Sequence, residues 1–322
     1  MEGRPFQGMD REMNKKTLFG IGCSLLAMAI ALDSSQGDFP KLTGPYLGQK
    51  PPGMTPEVFA PGIISSTNSE HGTAAFSPKG DEVFWATIFS NPFRKKILYS
   101  KIVDGQWTRP QVASFSHGYN EGNPTFSPDG TKLFFASWKS LTNNEKPKHH
   151  IMVSQKTGSG WSEPELIDDI INSISRYWQV SMASNGNIYF EVELSGPEIY
   201  CSEYKNDQYQ KPYKVELGFP GGTPFISSDE SYIIFSAADR PDGYGEFDLY
   251  ISYKKEDSRW TEGKNLGKKI NSAVLDIWPV VSPDGKYLFF ASRRDGTQDI
   301  YWVNTTFIEE LKPEDMKSKR NR

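Results

Sequence analysis

The sequence predicts an all-β protein, a five-bladed β-propeller closed by an N-terminal strand that joins the last blade. Of the 322 residues, 13% are aromatic, and 28 Gly and 22 Pro accompany them. That mixture favours short strands and tight turns over long helices. One pattern of strand, turn and apolar strand recurs at 73–86, 123–136, 179–191, 223–236 and 278–291. The spacing averages about 50 residues, the period of one propeller blade.

Each element follows from its residues. The turns Ser127-Pro128-Asp129-Gly130 and Ser282-Pro283-Asp284-Gly285 combine a proline that fixes φ with a glycine that accepts φ > 0. The runs after them, such as Leu133-Phe134-Phe135 and Leu288-Phe289-Phe290, read as second strands. Third strands follow at 96–100, 150–154, 198–202, 248–252 and 299–303. Fourth strands are expected to begin at Trp107, Trp161, Tyr209 and Trp260. The last repeat has none of its own, whereas 54–59 resembles 161–166, so this N-terminal stretch is expected to close the ring and remove a free sheet edge. A six-bladed ring is the alternative and would need one degenerate blade.

The repeats resemble the TolB-like β-propeller family, whose members carry Pro-Asp repeats related to WD repeats. Phe126-Ser127-Pro128-Asp129-Gly130, Ser282-Pro283-Asp284-Gly285 and Gly243-Tyr244-Gly245-Glu246-Phe247-Asp248-Leu249-Tyr250 carry the resemblance. Ala183-Ser184-Asn185-Gly186 and Ser227-Ser228-Asp229-Glu230 depart from it by lacking the proline. The matching residues build turns and cores, so the resemblance implies fold rather than function. A role in envelope assembly is implied by it alone.

Lys15 and Lys16 precede an apolar run over 18–31, the length of a signal-peptide core and short for a membrane span. Residues 1–31 are therefore expected to be a signal peptide, with Met13 an alternative start. An extended arm is expected over 32–53, the propeller over 54–308 and a charged tail over 309–322. The mature protein is expected in the periplasm or outside the cell, with no transmembrane segment. Cys201 would be its sole cysteine, excluding an internal disulfide, and its place in a strand suits a small packed hydrophobe. A net charge of −4 gives no global attraction for phosphate backbones, so a nucleic-acid partner is not expected.

Antiparallel order sends the Pro-Asp-Gly turns to one end and the longer, more charged loops to the other, where a binding site is expected. Residues just before each inner strand would line the channel mouth there: Glu70, His71, Glu121, Asn123, Arg176, Tyr177, Trp178, Gln179, Asp276 and Trp278. Glu191 stands in a column otherwise held by Ala86, Ala136, Ser236 and Ala291, and Arg176 is its expected partner. Carboxylates, amides and aromatics around a concavity suit a protein partner or an oligosaccharide. The reading is a binding scaffold without catalysis. The alternative is a carbohydrate-active enzyme using Glu70, Glu121, Glu191 and Asp276 from different blades. The sequence has no HExxH, CxxC, P-loop or GxSxG pattern, and no cofactor or metal is expected.

Overall fold

Five antiparallel sheets follow one another along the chain as the blades of a propeller. The computed structural model describes residues 39–90, 92–117, 120–140, 146–173 and 179–317. Contacts divide the chain into two units, 1–41 and 42–322. Of the first, residues 39–41 are described and carry no helix or strand. The expected signal peptide lies outside the described residues, as does the end of the charged tail.

Blade 1 runs from Ser69–Glu70 and Ala75–Phe76 at the axis through Glu82–Ser90 and Phe93–Val103 to Gln111–Val112. Blade 2 is Asn120–Phe126, Lys132–Lys139, Lys148–Thr157 and Glu165–Leu166. Blade 3 is Val180–Met182, Ile188–Glu193, Pro197–Ser202 and Tyr213–Lys214, and blade 4 is Gly222–Ile226, Tyr232–Ala237, Asp248–Tyr253 and Lys264–Asn265. Blade 5 is Asp276–Val281, Tyr287–Ser292, Asp299–Asn304 and, from the other end of the chain, Glu57–Val58. The closing strand pairs as expected, Glu57 opposite Trp302 and Val58 opposite Tyr301.

The repeated turn has a physical reason beyond proline and glycine. Ser127 Oγ donates to Asp129 Oδ1 at 2.6 Å and accepts from Lys132 N at 2.9 Å, fastening the turn to the next strand. Ser77, Ser227 and Ser282 do the same with Asp81, Asp229 and Asp284. Blade 4 places Glu230 at φ 58°, the left-handed position that Gly130 and Gly285 hold at 72° and 73°. Three partners hold its carboxylate there: Tyr189 Oη at 2.7 Å, Asn187 Nδ2 at 3.0 Å and Lys254 Nζ at 2.9 Å. These contacts offset the strain of a side chain in that region.

The outer strands differ from expectation. Those of blades 1 and 2 are each two short pieces, Gln106–Trp107 with Gln111–Val112 and Gly160–Trp161 with Glu165–Leu166, interrupted at Pro110 and Pro164. In blade 3 a small hairpin, Tyr204–Lys205 with Gln208–Tyr209, precedes Pro212 and the outer strand. Proline has no N–H to give to a ladder, so the outermost pairing stops and restarts around it. The core lies in the seams between blades, as in the blade 5–blade 1 cluster of Phe59, Trp85, Phe289 and Trp302. After the last third strand the chain forms the short helix Phe307–Leu311, which buries Phe307 and Ile308.

Candidate functional site

The inner strands of blades 2, 4 and 5 carry a bulge at one shared place. Their pairing slips between Gly122 and Thr125, Gly222 and Phe225, and Ile277 and Val280. In each slip a non-glycine residue stands before proline with positive φ: Asn123 at 52°, Thr223 at 51° and Trp278 at 56°. For a β-branched Thr and a bulky Trp this backbone is strained, at a cost of about 1–3 kcal/mol each. All three side chains are buried.

At these bulges the inner strands of different blades touch one another. The Trp278 ring packs on His71 with centroids 4.8 Å apart. Gln179 Nε2 donates to the carbonyl oxygens of Pro224 at 3.2 Å and Pro279 at 3.0 Å. Asn123 N donates to His71 O at 3.3 Å, and Trp278 N to Thr223 Oγ1 at 3.4 Å. Residues of, or next to, the inner strands of all five blades are thereby linked. Trp278, expected to be exposed at a mouth, is 2% exposed. Arg176, Tyr177 and Trp178 lie outside the described residues.

The predicted carboxylates are all buried. Glu70 is fully buried beside the Asp299 carboxyl, and burial followed by that neighbour pushes its pKa up to about 9. Glu121 is pushed up to about 7 by burial, opposed by the Ser116 hydroxyl, which donates to it at 2.8 Å, and by Lys96. Glu191 is raised to about 8 by burial, although Thr223 N donates to its Oε2 at 2.8 Å. Asp276 accepts from Arg294 Nη2 at 2.7 Å and from Ser272 N and Oγ at 2.6 and 2.8 Å. Glycoside hydrolysis needs two carboxyl groups facing each other across a substrate. Glu121, Glu191 and Asp276 are each hydrogen-bonded to different neighbours, and both carboxyl oxygens of Glu70 are buried without a hydrogen-bond partner.

Other residues weighed from the sequence resolve plainly. His71 Nε2 lies 3.0 Å from Lys95 Nζ and His117 pairs with Glu163 at 3.1 Å, so the two histidines do not share a site. His150, in the third strand of blade 2, is buried because that strand begins two residues before it, at Lys148. Asp248 fastens its loop by accepting from Tyr244 N at 2.5 Å. Cys201 is a free buried thiol whose pKa burial pushes up to about 11, which keeps it protonated. Among the described residues no group of three His, Cys, Asp or Glu is placed to hold a metal.

At the opposite end the channel opens. A funnel of about 580 Å³ is walled by the last residues of all five inner strands and by the turns after them. Its lining mixes Phe225, Tyr232 and Met182 with the hydroxyls of Thr125, Ser181, Ser184, Ser228 and Ser231, while Phe76, Phe126 and Val281 are buried in the seams between blades. The carboxylate of Asp229 is engaged by Ser227 Oγ at 2.8 Å and Ser231 N at 3.0 Å, leaving Glu309 as the other acid at the rim. Such a space can enclose an apolar side chain and hydrogen-bond the polar backbone around it. Sequence reasoning passed over this end. The apolar residues that end the inner strands give no local signal of it, since Phe76, Phe126, Ile226 and Val281 are buried in the seams between blades.

No family model matches the chain, and no curated protein matches it. Among solved structures it is similar to TolB from Acinetobacter baumannii, at 21% identity and a TM-score of 0.46 over 76% of this chain and 53% of that one. A TolB candidate from Agrobacterium tumefaciens is 15% identical with a TM-score of 0.49, covering 73% of this chain and 76% of the other. A thermostable family-43 glycoside hydrolase is 11% identical with a TM-score of 0.49, covering 74% and 90%. The chain spans about half the length of the A. baumannii protein. Among the described residues no helix is long and apolar enough to cross a membrane. The propeller is shown by the chain's own five sheets.

Proposed function

We propose that this is an exported, non-catalytic binding scaffold whose funnel takes a loop or terminus of a protein partner. The funnel's composition carries the reading. A lining that mixes hydroxyls and backbone groups with a few apolar side chains suits a peptide segment with one apolar anchor. Sugar recognition favours broad exposed aromatic faces, whereas of the aromatic lining residues Phe76 and Phe126 are buried in the blade seams and Phe225 and Tyr232 are half-buried. Catalysis is disfavoured because Glu70, Glu121, Glu191 and Asp276 do not line the funnel. Export rests on the charged and apolar pattern of residues 15–31.

Replacing Ser228 with Trp tests the site. Ser228 is exposed at the funnel rim, in the turn position that proline holds in three other blades. Affinity for a co-purified partner is expected to fall by about tenfold or more, through steric blocking of a recognition pocket. The melting temperature should not change. Undiminished affinity would overturn the location. New product masses after incubation with neutral and acidic oligosaccharides would overturn the non-catalytic reading.

A further inference from the structure

A second cavity, of about 340 Å³, adjoins the funnel between blades 2 and 3 and shares Met182 and Ser184 with its wall. On one side is the turn of blade 2, with Asp129 and Lys132. On the other is the small hairpin of Tyr204–Lys205 and Gln208–Tyr209, which contributes both tyrosines. This hairpin is a two-stranded sheet of its own, separate from the ladder of blade 3. Its turn residues Asn206 and Asp207 stand at φ 52° and 59°, the left-handed pair that a tight two-residue hairpin turn uses.

The hairpin fixes its tyrosines. Tyr204 pairs directly across from Tyr209, so both rings share one face, with Lys205 and Gln208 on the other. The ring centroids are 5.0 Å apart and the planes inclined at 60°. Tyr204 N donates to Asn187 Oδ1 at 2.9 Å, and its ring lies against Gly186, where a Cβ would stand 3.0 Å from Cδ1. Tyr209 packs on the core between blades 2 and 3, whereas Tyr204 stays 37% exposed. The charged side chains of the lining, Asp129 and Lys132, are of opposite sign. Asp129 Oδ1 accepts from Ser127 Oγ, Thr131 N and Thr131 Oγ1, which leaves Oδ2 for a ligand. The cavity thus joins a fixed, exposed aromatic ring to an acceptor, a cationic donor and the Ser184 hydroxyl, with no net charge.

We propose that this cavity binds a sugar unit of a neutral oligosaccharide. The C–H face of the ring would lie on Tyr204, with hydroxyls donating to Asp129 Oδ2 and accepting from Lys132 and Ser184. Ligand cavities start at about 300 Å³, so the space suits a small unit of this kind. Each sugar hydroxyl both donates and accepts, which matches an acid beside a cation. A charged ligand would meet a like charge in so small a site. A proline-rich peptide, another occupant of aromatic grooves, lacks the N–H groups to satisfy Asp129. This site goes beyond the funnel reading, which concerns a protein partner, and stands or falls apart from it.

The test is calorimetric titration of the full chain with maltotriose, cellotriose and triacetylchitotriose, against trigalacturonic acid and hexaproline. At least one neutral trisaccharide should bind, more tightly than either of the other two ligands. Its affinity should change by less than about twofold between about 20 and 300 mM salt, because a neutral ligand offers no charge to screen. Tyr204→Ala should lose about tenfold and Lys132→Met about fivefold, while Tyr204→Phe, which keeps the ring, should stay within about twofold of the parent. Lys205→Ala, on the opposite face of the hairpin, should match the parent. Tyr204→Leu serves if the alanine variant melts early. No heat with any neutral trisaccharide, or affinity retained without the Tyr204 ring, overturns the proposal and leaves the funnel reading untouched. Equal binding of trigalacturonic acid or of hexaproline also overturns it, in favour of an acidic glycan or a peptide.

Discussion

Deleting residues 54–60 will leave a propeller that melts far below the parent, because the ring loses the strand that closes it. Phe59 is fully buried among Phe76, Phe289 and Trp302, with ring centroids 5.8, 5.0 and 5.0 Å away. Its N–H donates to Ile300 O at 2.7 Å, and Glu57 and Val58 cover the free edge of Asp299–Asn304. Phe59→Ala alone should cost about 3–5 kcal/mol, the usual range for emptying a buried aromatic site. At about 2–4 °C per kcal/mol for a domain near this size, the melting point should drop by roughly 10 °C. The deletion should exceed that by removing the ladder as well. A melting curve unmoved by either change would refute closure by this strand.

The buried glutamates should make the protein more stable in mild acid than in mild base. Glu70 and Glu191 have folded-state pKa values of about 9 and about 8, above the ordinary 4.5. In the window between, the folded state binds more protons than the unfolded chain, so stability falls as pH rises. The contribution is complete below pH 4.5 and is lost by pH 8 for Glu191 and pH 9 for Glu70. Each loss amounts to a few kcal/mol, because every tenfold difference in proton affinity between the two states is worth about 1.4 kcal/mol. Glu191→Gln keeps an acceptor for Thr223 N and removes the ionisation. Denaturant melts at pH 5 and pH 9 should show the variant gaining about 2 kcal/mol or more relative to the parent at the higher pH. Parallel pH profiles would show that Glu191 is not held neutral by burial.

The propeller was legible because its repeats are written in turn chemistry. Ser127, Pro128, Asp129 and Gly130 each perform a local task, and local tasks recur visibly along a chain. The open end of the channel was not legible. Loop length and charge pointed to the end bearing Glu70, Glu121 and Trp278, but openness depends on where side chains go after a bulge. Asn123, Thr223 and Trp278 precede prolines in the sequence, and nothing in the pattern Xaa-Pro announces positive φ. Proline disfavours helix for the residue before it and usually leaves that residue extended. Pairing across the ring determined the outcome, as in Gln179 reaching the carbonyls of Pro224 and Pro279.

Glu191 illustrates the other half of the lesson. Its departure from a column of small residues was visible, and so was the need for a partner or a shifted pKa. One partner is the Thr223 amide of the next blade, 32 residues away, which no local reading of blade 3 could supply, while Arg176 lies outside the described residues. Gly222 is required beside it, since a Cβ there would stand 2.7 Å from Glu191 Oε2.

The funnel claim is tested most directly by site-specific photo-crosslinking in cells. A photoreactive side chain at Ser184, exposed at the funnel rim, should form adducts with a discrete protein partner. The same group at Gln208, exposed on the outer hairpin of blade 3, should not. Adding Ser228→Trp to the Ser184 probe should abolish the adduct. Equal adducts from both positions, or none from Ser184, would contradict a partner seated in the funnel.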